Sequence, residues 1–377
     1  LMLVLIYLSG IAAPINQFKV PPMMKQLMAD FDMSLAASGW LMSAFALAGF
    51  LFALPSGLFL QKIGVKRLGV TALTVILGGS VLGGLSGSVA PMLISRAVEG
   101  AGMSLLSVAA PAAISAWFPP EKRGIPVGIW ATWVPAGNVV IFTAAPFVAP
   151  ANWQHAWLFA AIYTAILLIL FSVLFKMPAR ITAPKKQSIR LRDTFGAIDA
   201  WKLALIFMLF NVVTISIKTY MPAFLETVRA YSQAEASSIT TIMMVCSMTA
   251  APLAGIISDR IHSRKKLIIA ACIGACIAVS LMFNVSGLMV MIPLVFIGIA
   301  GGAMPAGVFT AATELSNDPA KSGAYMSVII FGQYLGMFTG PIFFSNIADS
   351  FGWWTAAYAL IPLIILMFII TGKLKIK

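Results

Sequence analysis

A chain of 377 residues that is 60% apolar and only 10% charged would coat a soluble domain in grease, which excludes an enzyme or binding module built around an aqueous surface. The net charge of +13 does not bring back a nucleic-acid partner, because the basic residues are spread between hydrophobic stretches and not gathered on one polar face. Those stretches are long and unbroken, whereas a membrane β-barrel would show short segments of alternating polarity.

A helix that crosses a bilayer takes about 20 apolar residues, so twelve of them use roughly 240 and leave only short connections. The opening Met2-Leu-Val-Leu-Ile-Tyr reads as the first such helix and not as a signal peptide, since no small-residue cleavage site precedes a soluble domain and further spans follow at once; a few residues are expected ahead of Leu1. The predicted spans of the first half are 1–29, 35–60, 68–89, 91–117, 124–149 and 156–176. Those of the second half are 201–228, 234–258, 267–286, 288–312, 323–347 and 354–372. Between them Pro178 to Arg192 is the longest polar stretch, rich in Lys and Arg and bounded by proline. The expected organisation is all-α: a six-helix bundle over 1–177, a cytoplasmic linker over 178–199 and a second six-helix bundle over 200–377.

The loops carry the orientation signal. With a cytoplasmic amino terminus, the even-numbered loops with the adjoining span ends at Lys176 and Lys202 and the carboxy-terminal tail hold twenty of the 25 Lys and Arg, while Lys25 and Arg229 lie on the opposite side. That asymmetry puts both termini in the cytoplasm. The short loops suit a prokaryotic plasma membrane. Cys246, Cys272 and Cys276 fall inside spans with no His or carboxylate beside them, so they read as small core residues, and neither a metal nor a cofactor is expected.

Self-similarity runs the length of the chain. Gly57-Leu-Phe-Leu-Gln61-Lys62-Ile-Gly64-Val-Lys66-Arg67 returns 198 residues later as Gly255-Ile-Ile-Ser-Asp259-Arg260-Ile-His262-Ser-Arg264-Lys265. Arg96, Gly100 and Gly102 in the fourth span answer Leu294, Gly298 and Gly301-Gly302 in the tenth, keeping the small residues that let helices approach closely and losing the charge. Duplicated hydrophobic halves are a signature of transporters.

On these residues the chain resembles the major facilitator superfamily over essentially its whole length. The family's loop signature between spans two and three matches Gly57, Lys62, Gly64, Lys66 and Arg67, with Gln61 where the family has an acid. The second copy keeps Gly255, Asp259, Arg260, Arg264 and Lys265. The resemblance implies that this loop is a conformational latch, weakened in the first copy by Gln61. It implies that Arg96, in the span-four signature, is associated with proton transfer. The antiporter signature of span five is absent, Gly137-Asn138 standing in its region, which argues for symport or uniport.

Charges inside spans are costly, about 2.5–3.5 kcal/mol each at a helix centre on insertion scales, so they mark function. Four stand out: Lys19, Arg96, Glu99 and Lys218. Arg96 and Glu99 are three apart, hence neighbours able to pair. Either a fixed pair holds the fourth span or Glu99, beside a permanent cation, is a proton-coupling site. Lys19 and Lys218 stand at corresponding depths in spans one and seven, which the resemblance places on the wall of a central cavity. The alternative for the lysines is snorkelling to the surface. Gln17, Asn16, Asn211, Tyr220, Gln333 and Tyr334 are candidate neutral partners for a ligand. The reading is a monomeric, proton-coupled importer of a small organic anion, working by alternating access in membrane lipid. Competing readings are a nitrate/nitrite-type carrier, a drug exporter and a receptor that does not transport.

Overall fold

The computed structural model describes residues 1–119, 122–177, 198–261, 263–315 and 319–374. Among the described residues there are helices and no strands, and twelve stretches are long and apolar enough to cross a membrane. The expected linker lies almost wholly outside the described residues, as does the side chain of Asp259.

The first span is two helices, Met2–Phe18 and Val20–Asp30, interrupted at Lys19. Pro21 and Pro22 explain the interruption: neither has an N–H to give to the carbonyl four residues back. Spans two and three form one run, Leu35–Gly84, that Gly64 divides with φ +77°, a conformation a residue bearing a Cβ adopts only under strain. Val89–Trp117 is the fourth span. The fifth is Gly124–Trp130 followed by Trp133–Val148, and the sixth is Gln154–Leu174. In the second half the helices are Ile198–Thr227, Gln233–Ile261, Arg264–Met282, Met291–Leu315, Pro319–Phe351 and, for the twelfth span, Trp353–Tyr358 with Ile361–Gly372.

Helix starts follow local chemistry. Ser34 Oγ accepts from the Ala37 N–H at 3.1 Å and so satisfies a donor that has no partner inside the second span. Ser232, 198 residues on, does the same for Glu235 at 3.3 Å while the Glu235 carboxylate accepts from the Ser232 N–H at 2.9 Å, a reciprocal capping box.

By main-chain proximity the described residues form two compact units. One holds spans one to six together with Thr219–Ser238; the other holds the seventh span up to Lys218 and all that follows Ile239. Inside the first, Gly100 lies so close to the second span that an added Cβ would stand 2.0 Å from the Phe45 carbonyl oxygen. Inside the second, a Cβ on Gly298 would stand 2.6 Å from the Met243 carbonyl oxygen. Phe45 and Met243, like Gly100 and Gly298, are 198 residues apart in the sequence, so the duplication preserved a backbone contact and not only a motif. Outward faces remain apolar, as at Leu51, Ile166, Val173, Ile256 and Ile369, which suits lipid.

Candidate functional site

The polar centre of the first unit is built around the interruption at Lys19. Lys19 is completely buried, and its ammonium donates to Asn16 Oδ1 at 2.9 Å, Ser80 Oγ at 2.8 Å and Glu99 Oε1 at 2.6 Å. All three of its N–H bonds are thereby used. The Trp157 ring lies 4.7 Å from the same nitrogen, a cation–π contact from the sixth span.

Arg96 grips the other carboxylate oxygen of Glu99 and turns three further donors on main chain. Nε donates to Leu41 O at 3.0 Å, Nη1 to Asn16 O at 2.6 Å and Nη2 to Gln17 O at 2.7 Å. Pro21 follows Gln17 by four residues and cannot serve that carbonyl, so the guanidinium caps the broken helix. Asn16 completes the network by donating to Ala12 O and to Thr164 Oγ1. Spans one, two, three, four and six are thus pinned by one carboxylate shared between two cations, none of them exposed.

Two small residues make room for this. A Cβ on Gly79 would lie 2.7 Å from Glu99 Cγ, and one on Gly83 would lie 2.4 Å from Trp157 Nε1. Only glycine at these positions lets the third span approach the fourth and sixth closely enough for Ser80 to reach Lys19.

The predicted Arg96–Glu99 pair is present, but its expected consequence is corrected. Lys19, expected on the wall of a ligand cavity, instead meets Glu99, which is thus partner to both cations. Gln17, expected as a ligand contact, is buried, and its Oε1 has no partner. Ser80, Thr164 and Trp157 carry no sequence signal beyond a lone hydroxyl or indole in an otherwise apolar helix. Asn138 in the fifth span is fully buried with neither amide atom partnered.

In the second unit Lys218 is half-buried on the seventh span, and Asn211 is buried with its amide on Phe207 O at 2.7 Å. Gly336 of the eleventh span packs on Met208 and Asn211, which brings Gln333 and Tyr334 of that span along the same helix pair. Tyr220 groups with the first unit, its hydroxyl 3.4 Å from Ser38 Oγ. The loop residues divide similarly. Lys62 and Arg67 are exposed, Lys66 is half-buried, and Gly57 and Gly255 have open space where a Cβ would go. Arg264 donates to Glu314 Oε1 at 2.9 Å and to Ser258 Oγ at 2.7 Å, while Lys265 donates to Gly372 O at 2.7 Å at the end of the twelfth span. These two bases therefore tie helices of their own unit together. Glu314 carried no sequence signal, since the first half has no acid at the corresponding place. Arg260 is exposed.

The family model of the Major Facilitator Superfamily matches residues 6–236 and 206–375. The probable sulfoacetate transporter SauU of Cupriavidus necator is 24% identical over 301 residues, covering 74% of this chain and 69% of that protein. The probable nitrate/nitrite antiporter NarK1 of Thermus thermophilus is 22% identical over 248 residues, covering 63% and 56%. Among solved structures, a bacterial homologue of the human lysosomal transporter Spinster, in an inward-facing and occupied conformation, superposes with a TM-score of 0.84 at 15% identity, over 98% of this chain and 95% of that one.

Proposed function

The chain belongs to the Major Facilitator Superfamily and is a membrane transporter of that type, and from this premise we propose that it imports a small organic anion, a carboxylate, together with protons. The observation that carries the reading is the excess of cations in the spans. Lys19 and Arg96 share one carboxylate, and Lys218 adds a further positive charge on the seventh span. Such a charge pattern attracts an anion and repels a cation.

In this reading the Lys19–Glu99–Arg96 network is the coupling centre, and Lys218, Asn211, Tyr220, Gln17, Gln333 and Tyr334 are the ligand contacts. The loops at Gly57–Arg67 and Gly255–Lys265 act as the latch during alternating access. Sulfoacetate, for which the probable transporter SauU is named, is a small organic anion and agrees with it. A thermal-shift screen of the purified protein against carboxylates, sulfonates and inorganic anions tests it, because a ligand that binds the folded state raises apparent stability. Stabilisation by cations alone would sink it.

A second reading, an inorganic-anion carrier, draws on Asn138: a buried amide with no partner on either atom is suited to hold a small polar ligand or a water that bridges to one. Uptake of nitrate and not of carboxylates into liposomes would favour it.

A further inference from the structure

We propose that Lys19, and not Glu99, is the group that carries the coupled proton, alternating between ammonium and amine while Glu99 and Arg96 stay a fixed ion pair. The inference rests on the proton-coupled reading above and specifies its chemistry.

The argument is one of charge and donors. With every group ionised the buried network holds two cations and one carboxylate, a net charge of +1 away from water. Two single-proton changes are available, since a guanidinium does not give up its proton. Adding a proton to Glu99 would leave both cations uncompensated and raise the net charge to +2. It would also place a hydrogen on an oxygen that already accepts from a cationic N–H, Oε1 from Lys19 or Oε2 from Arg96. Removing a proton from Lys19 takes the same network to neutrality. In a site of low polarisability an uncompensated charge dominates the energy, so the second change is favoured.

The geometry accommodates it. An amine keeps two N–H bonds, enough for Asn16 Oδ1 and Ser80 Oγ. Its lone pair then repels Glu99, and Arg96 has a fifth N–H beyond the four bonds it makes. The charged groups that face Lys19 are Glu99 and Arg96 from the fourth span; the third span presents the Ser80 hydroxyl and the sixth the Trp157 ring. In balance, R–NH3⁺ gives R–NH2 and a proton that passes to water on the side to which the carrier is open; no electrons move. Loss of that proton removes the Lys19–Glu99 contact between the first and fourth spans, while the Arg96 bonds to Asn16 O and Gln17 O remain.

The experiment is a proton-binding titration of the purified full chain, with infrared difference spectra between acid and alkaline samples. Lys19→Arg should bind one proton fewer than the parent across the coupling range. Lys19→Met, which leaves the balanced Arg96–Glu99 pair, should show the same loss and serves if Lys19→Arg fails to fold. No protonated-carboxyl band that shifts in Glu99→Asp should be present. Equal proton uptake by parent and both lysine variants, or such a band, would overturn the proposal. Liposomes holding a pH dye and given a sulfoacetate or nitrate gradient test the parent reading separately: if neither moves protons, coupling fails while the titration still decides which group titrates.

Discussion

The guanidinium of Arg96 donates to the main-chain oxygen of Gln17, the carbonyl that Pro21 leaves without a helical donor. A side chain on the fourth span therefore completes the backbone of the first. This explains why a permanently charged residue is retained where an apolar one would cost nothing to insert. It also gives Arg96 a structural duty that a lysine, with a point charge on a flexible stem, cannot take over.

Arg96→Lys should accordingly destabilise the protein although it conserves charge. The expected loss is about 1–3 kcal/mol for each buried main-chain carbonyl left without its donor. A lowered midpoint in thermal denaturation of the detergent-purified variant is the expected outcome. An unchanged midpoint would show that the carbonyls at the interruption find other donors.

Glu99→Gln and Lys19→Met should differ in severity. The first leaves two buried cations without a carboxylate and should cost about 3–5 kcal/mol; the second leaves a balanced pair and should cost clearly less. Equal midpoints for the two variants would contradict the shared-carboxylate arrangement.

Gly100→Ala and Gly298→Ala should each impair folding, because the added methyl meets backbone carbonyl at 2.0 Å and 2.6 Å and backbone cannot rotate away. Gly57→Ala should be neutral, since nothing lies within 4 Å of the new methyl. The yield of monodisperse protein in size-exclusion chromatography separates these outcomes.

Lys218→Gln should weaken binding of the best anion from the screen by about 1–3 kcal/mol, the scale of a lost charge-assisted hydrogen bond. Calorimetry reads this directly, and unchanged affinity would remove Lys218 from the ligand contacts.

Cysteines introduced at Lys186 and Asn284 should label from opposite sides of the membrane, the first cytoplasmic and the second external, if the Lys and Arg distribution sets orientation. Labelling of both from one side would overturn the assigned topology.

The span map was legible because hydropathy is a local property: each apolar run announces itself without its neighbours. The doubled motif was legible for the same reason, and Gly100 and Gly298 show that sequence periodicity can forecast a backbone contact. The pairing of Arg96 with Glu99 needed only helical spacing. Lys19's partner did not lie within reach of such reasoning. Glu99 is 80 residues away, and the contact depends on Gly79 admitting the fourth span. Ser80 and Trp157 were hidden likewise, since a single hydroxyl or indole has no pattern until a helix from elsewhere meets it.

The interruption at Lys19 also bears on how the chain is made. A ribosome delivers the first span, with a lysine and two prolines near its middle, long before the carboxylate that will hold that lysine and the arginine that will cap its carbonyls have been synthesised. On insertion scales the lysine alone costs about 2.5–3.5 kcal/mol at a helix centre. That cost is offset once Arg96 and Glu99, which lie together on one helical turn, have been made. Truncated chains ending before the fourth span should leave the first span extractable or mobile across the bilayer, and those extending past Glu99 should not.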